Sequence, residues 1–428
     1  MTPRGIQPLF ACVAFFSLIA VPGTASAQAR VPVRRELVWS LTENETEAPH
    51  FTDDGAFVVL VSRVHWPDGA EAEELPEAFF ERLHERLRKE PRFADPIIRL
   101  IDLNGKQVCE VRYGSNPSVS PDGRSIAFSR QKRPISGLRA LAETLAGNDI
   151  QVFDCEKKEA KTVAEPDTGY LDDPLFSPDG KSIIYTTNEA VNGSMGGSVG
   201  LERVDLVGAK KEILLAKETV PAVPCPPAGP AKSAREALLC SQGVKLTSAF
   251  PGLLLDFAMA AGQLVVLQAR PLPSAGDMYL AAHYAISIKL VLPERNDILS
   301  LGPVPMEALD ASLQSASDGR VLVFWQYWRP LSLRTKEWLP DLGPQNANRR
   351  STYSPDLKYY LAAEPKGFPN HFTLYQSGDG MKLAILPRMA NVYGATWSRD
   401  SKRFALVGVP RGASGSQYRE ELLVYSIQ

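Results

Sequence analysis

The tetrapeptide Ser-Pro-Asp-Gly, followed at once by a basic residue and a β-prone run, recurs along this 428-residue chain. Two copies are nearly intact: Pro117-Ser-Val-Ser-Pro-Asp-Gly-Arg-Ser-Ile-Ala-Phe128 and Pro174-Leu-Phe-Ser-Pro-Asp-Gly-Lys-Ser-Ile-Ile-Tyr185. Weaker copies begin at His50, Ser317, Thr352 and Thr396. Self-similarity at a spacing of tens of residues constrains architecture before any single motif does. Within each copy Pro presets the turn, Asp bonds its own backbone ahead, and Gly takes positive φ without a Cβ clash. An apolar or aromatic residue precedes the turn (Phe51, Val119, Phe176, Tyr353, Trp397), and a Val-, Ile- or aromatic-rich run follows it. That is the pattern of a β-hairpin.

A second extended element follows several copies, as in Ile98-Arg-Leu-Ile-Asp102, Ile150-Gln-Val-Phe-Asp154 and Val199-Gly-Leu-Glu-Arg-Val-Asp205. Two hairpins per repeat make a four-stranded sheet, one blade of a propeller. A single blade cannot bury both faces, and stacking around an axis completes the core. The expected fold is therefore all-β. First hairpins are expected near Phe51, Val119, Phe176, Leu255, Leu313, Tyr353 and Trp397, which predicts a seven-bladed propeller, or six blades if the region around Leu255 is an insertion. The last repeat holds three strands, so Arg35-Glu-Leu-Val-Trp-Ser-Leu41 is expected to supply the fourth and to close the ring with both chain ends in one blade.

On Ser120-Pro-Asp-Gly-Arg124, Ser177-Pro-Asp-Gly-Lys181 and Ser354-Pro-Asp356, the chain resembles the WD40-like propeller repeats of TolB-type periplasmic proteins. The stretch from about Asn192 to Leu301 departs from the repeat, and there is no room before Phe51 for the small α/β domain that TolB carries. The resemblance implies a propeller with a binding role in the bacterial envelope.

An apolar run from about Leu9 to Val21, preceded by Arg4 and followed by Ala25-Ser26-Ala27, has the layout of a cleaved secretory signal over residues 1–27. Residues 28–428 are then expected as one propeller domain, periplasmic or secreted, monomeric and without a transmembrane segment. Cleavage removes one of 47 basic residues and no acid, leaving 46 against 49, which disfavours a nucleic-acid surface. The four remaining cysteines, Cys109, Cys155, Cys225 and Cys240, are disulfide candidates in an exported chain. Cys225 and Cys240 bracket a Pro-rich loop within about 216–242, while Cys109 and Cys155 occupy similar places on neighbouring repeats. Helical spacing of Leu75, Phe79, Phe80, Leu83 and Leu87 predicts a helical insertion within about 66–94, and a shorter one is expected within 131–147. The Gly-rich run Asn192-Gly-Ser-Met-Gly-Gly-Ser198 reads as a turn.

The five histidines show no His-x-x-x-His or His-Glu-x-x-His pairing, and no Gly-x-Ser-x-Gly elbow occurs. No cofactor and no resident metal are expected. Asp53-Asp54 falls in a hairpin turn. Binding residues are expected where inner strands start at the channel mouth: His50, Asn116, the acidic pair Asp172 and Asp173, and the basic pair Arg349 and Arg350. Opposed charges around one mouth suit a polar or zwitterionic ligand. The function expected is a non-enzymatic propeller that binds a protein or peptide partner or scaffolds an assembly. The alternative is a lyase or lactone hydrolase with a channel metal.

Overall fold

Every hairpin signal in the sequence becomes part of a four-stranded antiparallel sheet. The computed structural model describes residues 33–40, 49–62, 89, 96–130, 148–167, 169–191, 194–216, 253–271, 283–292, 296–305, 311–325, 327–342, 351–363, 372–387, 389–410 and 420–428. Blade 1 contains β2 (His50–Phe51), β3 (Phe57–Ser62), β4 (Ile97–Asp102) and β5 (Gln107–Arg112), and blade 2 contains β6 (Gly114–Val119), β7 (Ser125–Arg130), β8 (Asp149–Asp154) and β9 (Glu159–Ala164). Blade 3 is β10 (Tyr170–Phe176), β11 (Ser182–Val191), β12 (Ser194–Asp205) and β13 (Lys211–Leu215). Blade 4 is β14 (Leu253–Ala260), β15 (Gln263–Pro271), β16 (His283–Leu292) and β17 (Asn296–Pro305). Blade 5 is β18 (Ala311–Ser315), β19 (Arg320–Trp325), β20 (Tyr327–Ser332) and β21 (Glu337–Trp338). Blade 6 is β22 (Thr352–Tyr353), β23 (Tyr359–Ala363), β24 (Phe372–Gln376) and β25 (Lys382–Ile385). Blade 7 joins β26 (Met389–Trp397), β27 (Arg403–Pro410) and β28 (Glu421–Ile427) to β1 (Val33–Ser40), with β1 outermost.

The region around Leu255 is thus a full blade, and the count is seven. The chain ends meet as expected, with Leu37 opposite Val424 and Trp39 opposite Leu422 in the antiparallel β1–β28 ladder. One apolar cluster fills each seam between neighbouring blades. Val59, Ile98, Ile126 and Phe128 join blades 1 and 2, for example, and Leu37, Leu60, Val407 and Leu422 join blades 1 and 7. The seam between blades 5 and 6 is aromatic, with Tyr360 stacked between Tyr353 and Tyr375 at ring separations of 5.2 and 4.9 Å. Alternate residues of each strand serve opposite faces, so each central strand feeds two seams at once. In β15, Val265 and Leu267 face blade 5 whereas Leu264 and Val266 face blade 3.

The repeated turn has one hydrogen-bond plan. Ser120 Oγ donates to Asp122 Oδ1 at 2.6 Å and accepts from the Ser125 amide at 2.9 Å, while Gly123 N–H bonds the Ser120 carbonyl at 2.8 Å. Ser177, Ser354 and Ser398 repeat the bond to an Asp two residues on, at 2.6, 2.7 and 2.7 Å. Thr52 does the same with Asp54 at 2.6 Å, so Asp54 belongs to turn chemistry, and Asp53 pairs across the blade 7–1 seam with Arg399 at 2.8 Å. Blade 4 dispenses with the motif: Ala261 and Gly262, with φ of 49° and 77°, form a tight two-residue turn of the kind that matches strand twist. Replacing Ser120 by Ala strands the Ser125 amide and Asp122 together, and the expected loss is about 1–2 kcal/mol in a denaturant titration. A loss below about 0.3 kcal/mol contradicts the plan.

These turns also set an acid response. The Ser120 and Ser177 hydroxyls, then backbone amides, hold the Asp122 and Asp179 carboxyls below the usual carboxylate range. For Asp400 partial burial pulls upward, but the Ser398 hydroxyl and the Lys402 amide outweigh it. A carboxyl whose folded pKa lies below its unfolded one stabilises the fold above the unfolded value and loses that contribution as pH falls through the folded value. The denaturant midpoint is therefore expected to fall between pH 5 and pH 3, around the carboxylate reference value of about 4. A flat profile across that window contradicts it.

One local reading changes, and one disulfide candidate pair is found bonded. Ser194–Asp205 is one strand, β12, whose first residues pair with β11 (Val191 opposite Ser194, Glu189 opposite Gly197), so the Gly-rich run is mostly hairpin strand rather than turn. Cys109 lies inside β5 and Cys155 just beyond β8, and they form a disulfide with Cα atoms 5.5 Å apart. It joins the outermost strand of blade 1 to blade 2. Cys225, Cys240, the leader at 1–27 and the expected helices within 66–94 and 131–147 lie outside the described residues, apart from helical Lys89.

Candidate functional site at the channel mouth

Each inner strand starts at one face of the ring and ends at the repeated turn on the other. The starting face is also where connections between second and third strands, and between blades, leave the sheets. Four inner strands, β2, β6, β10 and β14, come together there around a cleft of about 230 Å³. Its lining includes His50, Asn116, Asp173, Leu175 and Phe257, with Pro117 and Pro174 between them. Residues from blades 1 to 4 share a pocket only at the axis, so the cleft belongs to the central channel.

The local backbone explains the placement. Asn116-Pro117 and Asp173-Pro174 stand at the same distance before their turns, and in both strands the ladder register shifts there, between Ser115 and Ser118 and between Asp172 and Leu175. Pro cannot donate to the ladder, and the preceding residue adopts φ of 49° (Asn116) or 46° (Asp173), a left-handed conformation that Asn and Asp accept more readily than other side chains. Such an irregularity re-aims the side chains around it. Asp172 and Asp173 therefore sit within β10 rather than ahead of it.

The two acids differ. Asn116 Nδ2 donates to Asp172 Oδ1 at 2.8 Å across the blade 2–3 seam. Burial pushes the Asp172 carboxyl up, against the opposing hydrogen bonds from Asn116, the Asp173 amide and Ser129. Asp173 instead lines the cleft. Burial, with the charges of both acids behind it, also raises the Tyr170 phenol.

His50 has a distinctive position. It stands two residues before the turn-opening residue of its blade, as Ser118 and Gln314 do in theirs. Those two side chains bind the next blade: Ser118 Oγ accepts from Phe176 N at 3.0 Å, and Gln314 Oε1 accepts from Tyr353 N at 3.1 Å while its amide donates to the Tyr353 carbonyl. Asp256 Oδ2 accepts from Leu313 N at 2.7 Å across the blade 4–5 seam. At the equivalent place in blade 3 stands Leu175, which has no polar group. His50 makes no side-chain hydrogen bond among the described residues. The ring is surrounded by protein, which lowers its pKa, yet it remains open to solvent because the surroundings are a channel and not a dry core. The cleft thus lies beside β2 and β10, whose residues at that position, His50 and Leu175, make no side-chain hydrogen bond to the next blade among the described residues.

The structure brings together His50, Asn116, Asp172 and Asp173. Arg349 and Arg350 lie outside the described residues. Sequence reasoning missed Leu175 and Phe257, apolar members of apolar strands. It also passed over Pro49, Pro117 and Pro174, whose fixed place three residues before Thr52, Ser120 and Ser177 was the available signal. Among the described residues no three His, Cys, Asp or Glu side chains are grouped to hold a metal ion, and no helix is long and apolar enough to cross a membrane.

No protein-family profile matches the chain, and no curated protein does. Among solved structures it is similar to the β-propeller domain of Cps50 (Swd1) from Myceliophteria thermophila, at 10% identity and a TM-score of 0.48, over 93% of this chain and 100% of that one.

Proposed function

We propose that this chain is an exported propeller of the TolB type that binds a protein or peptide partner at its channel mouth, in the bacterial envelope, without catalysing a reaction. The observation that carries the reading is the cleft itself. It lies beside two inner strands whose clamp position, His50 or Leu175, bonds no neighbouring blade among the described residues, and it presents an imidazole with no protein partner among them. Loops and strand starts on a rigid ring are the usual place for recognition. Export is supported by the leader pattern over 1–27 and by the Cys109–Cys155 bond, which an oxidising compartment preserves.

Leu175→Trp tests the reading by filling the cleft from its own wall. Native and variant proteins are immobilised and exposed to envelope extract. The expected result is a polypeptide retained by the native chain and lost by a variant of unchanged melting temperature. Identical retention by both, or stoichiometric metal in the purified native protein, argues against it, the latter in favour of a channel-metal enzyme.

A further inference from the structure

We propose that the mouth half of the seam between blades 3 and 4 parts to admit one backbone peptide unit of the bound partner, which pairs with the carboxamide of Gln268. This rests on the function proposed above and adds what is recognised there: main chain rather than a particular side chain.

The seam changes character along its length. Towards the turn end it is apolar, with Ile184 and Leu201 of blade 3 against Leu264 and Val266 of blade 4. Two residues beyond Val266, on the same face of β15, stands Gln268. Ser287 is directly opposite it in the β15–β16 ladder. Blade 3 changes in step. Thr186 and Asn188 continue the face of Ile184, both buried, and Asn188 Nδ2 donates to Thr186 Oγ1 at 3.0 Å. The other face of β15 stays apolar over the same span, with Val265, Leu267 and Ala269 against blade 5.

Gln268 is 1% exposed, and neither its Oε1 nor its Nε2 has a hydrogen-bond partner among the described residues. Ser287 Oγ is likewise enclosed and unpaired among them. Amide and hydroxyl groups enclosed without partners cost free energy, so the closed seam carries a penalty that a matching group relieves. The match is a neutral group with both a donor and an acceptor, because a charge would lose its hydration on entering. A peptide unit supplies one N–H and one C=O. The protein already uses this pairing: in the seam between blades 5 and 6, Gln314 Oε1 accepts from Tyr353 N at 3.1 Å while its amide nitrogen donates to the Tyr353 carbonyl.

The cleft supplies the approach. Two of its walls belong to this seam, Leu175 opposite Ile184 in blade 3 and Phe257 opposite Val266 in blade 4. Gln268 lies one step further along the same ladder, opposite Leu254. An extended chain lying in the cleft therefore meets the inner edge of the seam beside Gln268.

The test starts from a random peptide library displayed on phage and panned against the immobilised full chain without its leader. Selected peptides are synthesised with each backbone amide in turn replaced by an ester, which removes the N–H and keeps every side chain. Their binding is measured to the native protein and to Gln268→Met, a side chain of similar length with no amide. Gln268→Met is expected to bind the selected peptides at least tenfold more weakly, yet to melt about 2 °C higher because the unpaired amide is gone. One ester position is expected to weaken native binding about tenfold and to leave binding to Gln268→Met unchanged. Peptides that bind both proteins equally overturn the inference and leave the peptide-binding function standing. So does a Gln268→Met protein that melts below the native one, since the amide then already has a partner, such as a held water, in the folded chain. Weakened binding with no such ester position makes Gln268 a structural residue and overturns the inference as well. Selection of no peptide at all counts against both the inference and the function.

Discussion

A protein lacking Val33–Ser40 is expected to unfold at far lower denaturant or temperature than the intact chain, by on the order of 5 kcal/mol or more. The magnitude follows from what β1 supplies. Leu37 is buried in the seam cluster that joins blades 7 and 1, beside Val58, Leu60, Leu422 and Val424. Deleting a buried leucine alone costs about 2–5 kcal/mol, and each lost ladder hydrogen bond about 1 more. The truncation also converts β28 into a bare edge with apolar Leu422 and Val424 alongside, the kind of edge that pairs with other molecules. Aggregation on expression is the expected companion. Among the described strands, blade 7 is the only sheet that sequence-distant ends share, so no described neighbouring strand can substitute for β1. A truncated protein with the native melting temperature contradicts this role.

The second large effect is expected from Cys109→Ala with Cys155→Ala. The disulfide closes a segment with a sequence separation of 46 residues. In the chain-entropy treatment a crosslink of that span stabilises by about 4 kcal/mol. For a chain of this length the expected fall in melting temperature is about 5 °C. The bond ties the outer edge of blade 1 to blade 2, so blade 1 gains most. Its own inner strand is only two residues long and its His50 makes no clamp, which leaves the seam cluster of Val59, Ile98, Ile126 and Phe128 and the crosslink to hold it to blade 2. Calorimetry of the double variant measures the effect, and a shift below about 1 °C contradicts it.

How far the fold was legible depended on turn chemistry. Where Ser, Pro, Asp and Gly stand together, the hydroxyl-to-carboxylate bond and the positive-φ glycine leave a local signature, and blades 2 and 3 are readable at once. Blade 4 has no such signature. Its short Ala261-Gly262 turn needs no Ser or Asp, and only the apolar runs on either side betray it. The later strands of blade 4, β16 and β17, escaped notice because they lack the Asp-ended pattern that marks β4, β8 and β12. For the site, the register of the inner strands pointed to His50, Asn116, Asp172 and Asp173. It could not show that Asn116 and Asp172 bond to each other across a seam, since that contact joins residues 56 apart in sequence. Nor could it separate the acid bonded to Asn116 from the one that lines the cleft. Leu175 and Phe257 were invisible for a simpler reason: one apolar residue in an apolar strand looks like any other until its neighbours are known.

The central claim is a ring of seven blades sealed by the two chain ends, and cross-linking tests it most directly. Arg34 and Ser426 face each other in the β1–β28 ladder and are not buried in the core. With Arg34→Cys and Ser426→Cys in one chain, mild oxidation followed by proteolysis and mass spectrometry is expected to yield a peptide pair linking the two termini in high yield. Free, separately labelled cysteines at both positions in folded protein would contradict the closure and the architecture built on it.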